Sequence, residues 1–326
     1  MVISVVMIGV CTTWGAARMP LSEFWTIVRN YLSGQGDGGT GELIIFRIRL
    51  PRALMAYAVG ACLSVSGVTM QGIFKNPMAE PHILGVSSGA ALGAAITLIF
   101  GLGQNMLGLG VMSLGALVGG TGAAMLVLIL SGGRSSTTNL LLSGIAVGTF
   151  LTALLSGLLM INHDKMEAVY TWTMGSFAMA TTTKLQLIAP VTAIGYVGIR
   201  LFARELNAML LGESDARSLG VNVGLIRFFL MSMATLMTAV AVSLSGVIGF
   251  VGLMVPHAVR FLVGPDHRAV LPVSLLLGGL YLMLMDALAR TLFMPMELPV
   301  GVLTALVGGP FFLFLLKRDR RKGEAQ

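Results

Sequence analysis

The chain has 326 residues, 56% of them hydrophobic and 11% charged, with a net charge of +7. Soluble domains carry about 25% charged residues, so this composition excludes a soluble globular protein and identifies an integral membrane protein. In such a chain an excess of Lys and Arg reflects positive-inside topology and does not call for a nucleic-acid partner.

Taken in order, apolar runs lie near 2–17, 50–74, 83–100, 107–130, 140–161, 186–202, 226–245, 247–263, 269–288 and 299–316. They predict an all-α bundle of about ten transmembrane helices in one domain, 1–326. Residues 1–17 read as a first span rather than a signal peptide, because the run has no basic n-region and no convincing small-x-small cleavage site. The run at 247–263 is short and contains Pro256. With both termini placed inside, thirteen basic residues fall on the inner side and eight on the outer side. The inner set includes a basic tail, 317–326. The bias predicts cytoplasmic termini. It also isolates an anomaly, since Arg47, Arg49 and Arg52 cluster on the outer side, where basic residues are normally scarce.

The long outer loop from Arg18 to Arg47 contains the glycine-rich stretch 34–41, which reads as a flexible tip. Between Asn162 and Lys184, Glu167 to Met174 predicts a short outer helix. The inner segment 205–226 predicts a two-turn helix. Gly212 is its N-cap, Glu213 and Asp215 lie in its first turn, Arg217 follows, and Gly220 closes it. Ser135-Ser-Thr-Thr-Asn139 reads as an N-cap cluster, a polar constriction at an inner mouth, or both.

Gly85, Gly89 and Gly93, Gly115 and Gly119, and Gly144 and Gly148 are spaced for close helix packing. Ser64-Val-Ser-Gly-Val68 is echoed by Ser243-Leu-Ser-Gly-Val247, and Pro81-His82 by Pro256-His257. An odd number of spans separates the copies, as in an inverted repeat.

Candidate chemistry is sparse. Gly85-Val-Ser-Ser-Gly89 matches G-x-S-x-G, but that motif needs a strand before it. An intramembrane serine hydrolase using His257 is the corresponding rival reading. No P-loop and no H-E-x-x-H or C-x-x-C motif occurs, and the four histidines are scattered. Cys11 and Cys62 read as buried small hydrophobes. The 22 methionines read as packing or lipid-facing residues, with a metal-thioether path as the alternative. Asp286 is the main ionisable residue inside a span, and Arg290 shares its helix face. An ion-coupled carrier usually keeps a carboxylate near mid-membrane, so the driving energy is expected from another subunit. A secondary carrier is the second rival.

Several ordered motifs together resemble the permease family of type II ABC importers, which take up iron-siderophores, haem and cobalamin. They are Arg49-Leu-Pro-Arg52, Ser66-Gly67 with Met70-Gln71, Asn76-Pro-Met-Ala-Glu-Pro81, Leu84-Gly-Val-Ser-Ser-Gly-Ala90 and Leu140-Leu-Leu-Ser-Gly144. The likeness continues through Tyr170-Thr-Trp-Thr-Met-Gly175, Leu211 to Gly220, Gly246 to Leu253, Pro256-His257 with Arg260, and Asp266-His-Arg268. It ends with Asp286-Ala-Leu-Ala-Arg290 and Glu297-Leu-Pro-Val-Gly301. It spans about Phe46 to Leu316 and departs at the N-terminus, where the first span starts at Met1.

The resemblance implies a permease of the bacterial cytoplasmic (inner) membrane that moves an iron chelate, siderophore or haem; cobalamin is the alternative cargo. It implies a homodimer with the pathway at its interface. Two copies of a separate ATPase would use ATP and Mg, and an extracytoplasmic binding protein would dock above. No cofactor is implied for this chain, and its remaining partner is membrane lipid. By the same resemblance Arg49, Arg52 and Arg290 would dock the binding protein, and Thr137 and Thr138 would form a cytoplasmic gate. Leu211, Gly212, Glu213, Ala216, Arg217, Leu219 and Gly220 would form the helix that couples to the ATPase.

Overall fold

The computed structural model describes residues 2–13, 20–36, 38–101, 110–131 and 137–323, with α-helices and no strand among them. Helix α1 (Val2–Thr13) covers the described part of the first apolar run. The loop between the first two spans holds more order than its composition predicts. An amphipathic helix, α2 (Leu21–Leu32), buries Phe24, and Tyr31 stacks on Phe46 with ring centroids 3.9 Å apart. Asp37, in the glycine-rich tip, lies outside the described residues. Helix α3 (Thr40–Glu42) runs through a π-helical stretch (Leu43–Arg49) into α4 (Leu50–Phe74), so the second span begins well before its apolar run.

A 3-10 turn (Pro81–Leu84) leads to α5 (Val86–Ile99), followed by α6 (Val111–Leu130), α7 (Thr137–Ile161) and the short outer helix α8 (His163–Thr173). Helices α9 (Thr182–Leu201) and α10 (Ala203–Leu211) meet at a 51° bend. The expected two-turn helix is α11 (Glu213–Ser218). Then come α12 (Val223–Ser245), α13 (Val251–Val263), α14 (His267–Thr291) and α15 (Val300–Gly323). Among the described residues five helices are long and apolar enough to cross a membrane, or six with the bent α9–α10 pair. The runs at 83–100, 247–263 and 299–316 form shorter apolar helices.

Helix α4 is the axis of the bundle. All of its residues except Leu50, Leu54 and Tyr57 are buried. Helices α9, α12, α13 and α14 pack around it. Small residues make this possible: a Cβ on Gly60 would strike the carbonyl of Gly278, and one on Gly67 would strike that of Gly252. The glycine spacing seen in the sequence does the same for α5 and α6, where Gly89 meets Gly119 and Gly93 meets Gly115.

The chain between α12 and α13 is not helical, yet it lies inside the bundle. Gly252 sits against Gly67, about 10 Å along α4 from its end at Phe74 by helical rise. Irregular backbone at such depth survives only where protein groups satisfy it. Here the Phe250 amide donates to Glu80 Oε1 at 3.0 Å, and His82 Nε2 lies 3.2 Å from the Ile248 carbonyl. Pro256 has no N–H to offer the carbonyl of Gly252 four residues earlier. Gln71 Nε2 supplies the missing donor to Gly252 at 3.1 Å and reaches Leu253 at 3.2 Å. Arg260 in turn donates to Gln71 Oε1 and fixes the amide's orientation.

The break also distinguishes the two echoed motifs locally. Ser64 to Val68 lies inside continuous helix, whereas Ser243 to Val247 straddles the end of α12, where Gly246 takes φ +74°. Pro81-His82 opens a 3-10 turn, but Pro256-His257 lies within α13. The echoed residues therefore adopt unlike structures.

Two predictions follow from this packing. Gly67→Ala should destabilise the detergent-solubilised protein by about 1–3 kcal/mol through overpacking, whereas Gly122→Ala, whose Cβ would meet nothing within 4 Å, should not. Glu80→Ala should cost about 1–3 kcal/mol by orphaning the Phe250 amide, while Glu80→Gln keeps an acceptor and should be milder. Thermal unfolding of the four variants checks both.

Candidate functional site

At one end of the bundle, helices α4 and α14 bring the sequence anomaly together with two carboxylates. Arg52 grips Asp286 with two groups: Nε lies 3.1 Å from each carboxylate oxygen, and one terminal nitrogen lies 2.9 Å from Oδ1. Its other terminal nitrogen donates to Glu297 Oε2 at 2.9 Å. Arg290 Nε lies 3.2 Å from Asp286 Oδ2, the pair expected from their i,i+4 spacing, and a terminal nitrogen donates to the Cys11 carbonyl at 3.2 Å. Arg49 donates to the carbonyls of Thr12 and Thr13 at 3.1 and 3.2 Å. Those carbonyls end α1, so the guanidinium caps the negative end of that helix dipole.

The three arginines are thus turned inward. Arg49, Arg52 and Arg290 are only 5–8% exposed, and Asp286 is fully buried. Glu297 differs, with a side chain 46% exposed on the loop between α14 and α15. Arg47, the third member of the sequence cluster, is exposed. Sequence reading found the Asp286–Arg290 pair. It missed that Arg52 shares the same carboxylate and that Glu297 completes the set.

Elsewhere on the bundle, a groove of about 830 Å³ opens along α7. Its wall carries His82, Ser88, Thr149, Thr152 and Ser156. Thr152 Oγ1 lies 3.2 Å from Ser88 Oγ. Ser87, at the centre of the G-x-S-x-G match, pairs with His82 Nδ1 and not with His257. A 3-10 turn precedes it where a nucleophile elbow needs a strand. His257 instead packs edge-on against Phe261 and Phe311. Among the described residues no three His, Cys, Asp or Glu side chains gather to hold a metal ion.

At the other end of the bundle, α11 is built as its residues predict. The Gly220 amide donates to Arg217 and the Val221 amide to Ala216, a Schellman closure with Gly220 at φ +82°. Ala216 is buried, while Leu211 and Leu219 are 69% and 66% exposed. Glu213 pairs with Arg227 and, at 3.6 Å, with Arg217. The Arg227 guanidinium beside it holds its carboxyl below the usual carboxylate range. Thr138, in the first turn of α7, is exposed. Thr137 begins that helix, its side chain is outside the described set, and Ser135 and Ser136 lie outside the described residues.

Known proteins share this architecture. The chain is 45% identical over 285 residues to the cobalamin import permease of Halobacterium salinarum, covering 86% of this chain and 75% of that one. It is 42% identical over 287 residues to the hemin transport permease of Yersinia pestis, covering 86% and 84%. A solved structure described as a metal-chelate type ABC transporter in an inward-facing conformation matches with a TM-score of 0.85, at 33% identity over 97% of each chain. The model of the FecCD transport family matches residues 2–318. The chain is a transport permease, not an enzyme, and it belongs to the FecCD transport family.

Proposed function

We infer that this permease carries an iron chelate, a siderophore complex or haem, across the bacterial cytoplasmic membrane as half of a homodimer driven by ATP. The observation that carries this reading is the groove along α7. Its wall offers hydroxyls, with no set of metal ligands among the described residues, which suits a cargo whose metal is already coordinated. Only 11% of the α7 span is buried within one subunit, so a second copy facing it would close the groove into a pathway. Cobalamin, another cargo whose metal is already chelated, is the second reading, supported by the relative from Halobacterium salinarum.

The inner end would receive the ATPase. Exposed Leu211 and Leu219 flank α11 and offer apolar anchors, and the helix is held to the bundle through Arg227. ATP binding and hydrolysis in that partner would move α11 and alternately open the outer mouth and the constriction at Thr137 and Thr138. The outer end would receive an extracytoplasmic binding protein through the arginine cluster, and both termini would lie in the cytoplasm. Because Arg52 is largely enclosed, docking requires its free edge to be released from Glu297.

The experiment is uptake by the assembled transporter. Arg52→Gln removes a docking cation but leaves an amide donor toward Asp286, which Arg290 still pairs. Uptake should fall at least tenfold, by about 1.4 kcal/mol or more, with the complex intact by size exclusion. Unchanged uptake overturns the docking role. Leu219→Asp should weaken ATPase-subunit binding about tenfold or more, as loss of an interface anchor does. The Glu213–Arg227 tie should be present above pH 4.5 and lost as pH falls through the lowered pKa of Glu213. Hydrogen exchange of residues 213–218 should rise on that acid side, and at neutral pH in Glu213→Gln.

A further inference from the structure

The arginine cluster contains its own substitute for a docking partner. This inference rests on the reading of the outer face as a docking surface. Arg52 presents two edges to two different carboxylates. The inner edge, Nε and one terminal nitrogen, is committed to Asp286, which is fully buried and also faces Arg290. The outer edge is a single terminal nitrogen bound to Glu297 at 2.9 Å.

Glu297 lies on a non-helical loop whose residues Leu292, Phe293 and Met296 are 52–74% exposed. The loop returns to α14 through the Leu298 amide, which donates to the Ala289 carbonyl at 3.0 Å. Ion pairs of this half-exposed, single-bond kind are weak and exchange with other anions. The buried, bidentate pair with Asp286 is strong and positions the guanidinium. The local charge points the same way. Arg52 and Arg290 share Asp286, so displacing Glu297 leaves both guanidiniums on that one buried carboxylate.

We propose that Glu297 occupies the outer edge of Arg52 when nothing is docked and is displaced by a carboxylate of the incoming binding protein. Asp286 is then a positioning residue that keeps the guanidinium aimed outward from below. Glu297 is a competitor, which weakens docking and lets the partner leave once cargo has passed. The carboxylate exchange makes and breaks only ionic and hydrogen bonds.

The test is a double-mutant cycle read as binding affinity. The intact transporter in nanodiscs is titrated with a purified extracytoplasmic binding protein that supports its uptake. Glu297→Gln should tighten binding about two- to fivefold, the range that a half-exposed ion pair supports. It should give no gain in an Arg52→Gln background, because the edge for which it competes is gone. Glu23→Gln, which removes the same charge from exposed α2, should leave affinity unchanged. If Glu297→Gln binds like the wild type, if Glu23→Gln matches its gain, or if the gain persists without Arg52, the competition is overturned. If Arg52→Gln alone leaves binding unaffected, the docking reading itself fails and the inference falls with it. Should Arg52→Gln not assemble, Arg52→Lys gives the same cycle with the charge kept and the two-edged fork removed.

Discussion

Helix α4 has almost no surface left for lipid, and the rest of the bundle depends on that enclosure. A helix surrounded on every side must let its neighbours approach closely, which alanine, serine and glycine allow and bulkier residues forbid. Gly60 and Gly67 meet the backbones of α14 and α13 directly. With its flanks closed, α4 delivers its two polar ends to opposite sides of the bundle. Arg49 and Arg52 stand at one end, and Gln71 reaches across at the other.

Enclosure also explains how the chain tolerates a non-helical stretch deep inside. Gly246 to Phe250 would be untenable facing lipid, where each unsatisfied amide or carbonyl costs several kcal/mol. Here Glu80 and His82 meet its backbone groups, Gln71 meets those at the start of α13, and Phe250 is held at φ +68°, a conformation that needs surrounding support in a bulky residue. The break draws the loop after α4 and the start of α13 into one unit. His82 belongs both to that unit and to the wall of the groove, so the groove lining is continuous with the packed interior.

Much of this was legible in the sequence where the signal was local. The glycine spacing of α5 and α6 is periodic, so the close crossing could be read directly. Helix α11 carries its caps, its acids and its closing glycine within ten residues. Helix α2 went unread because its polar face lowers the hydropathy of the loop, although Phe24, Val28 and Tyr31 keep helical spacing. The arginine cluster was half legible. Basic residues on the outer side stood out by count, but their burial did not, because Asp286 and Glu297 lie 234 and 245 residues away from Arg52. The repeated Ser-x-Ser-Gly does not fix local conformation, since it extends a helix in one copy and ends one in the other. Pro256 reads as a weakness in its span, and Gln71 as part of a motif; only the bond from Gln71 to the Gly252 carbonyl reveals donor and vacancy as a pair.

The central claim is that this permease moves cargo only when an ATP-hydrolysing subunit works at its inner end. Sealed vesicles holding the purified permease, with a ferric siderophore complex and the binding protein outside, measure this directly. The account predicts accumulation against a gradient only when the ATPase subunit is co-reconstituted and ATP is enclosed, with no accumulation from an imposed ion gradient. Accumulation by the permease without the ATPase subunit would contradict it.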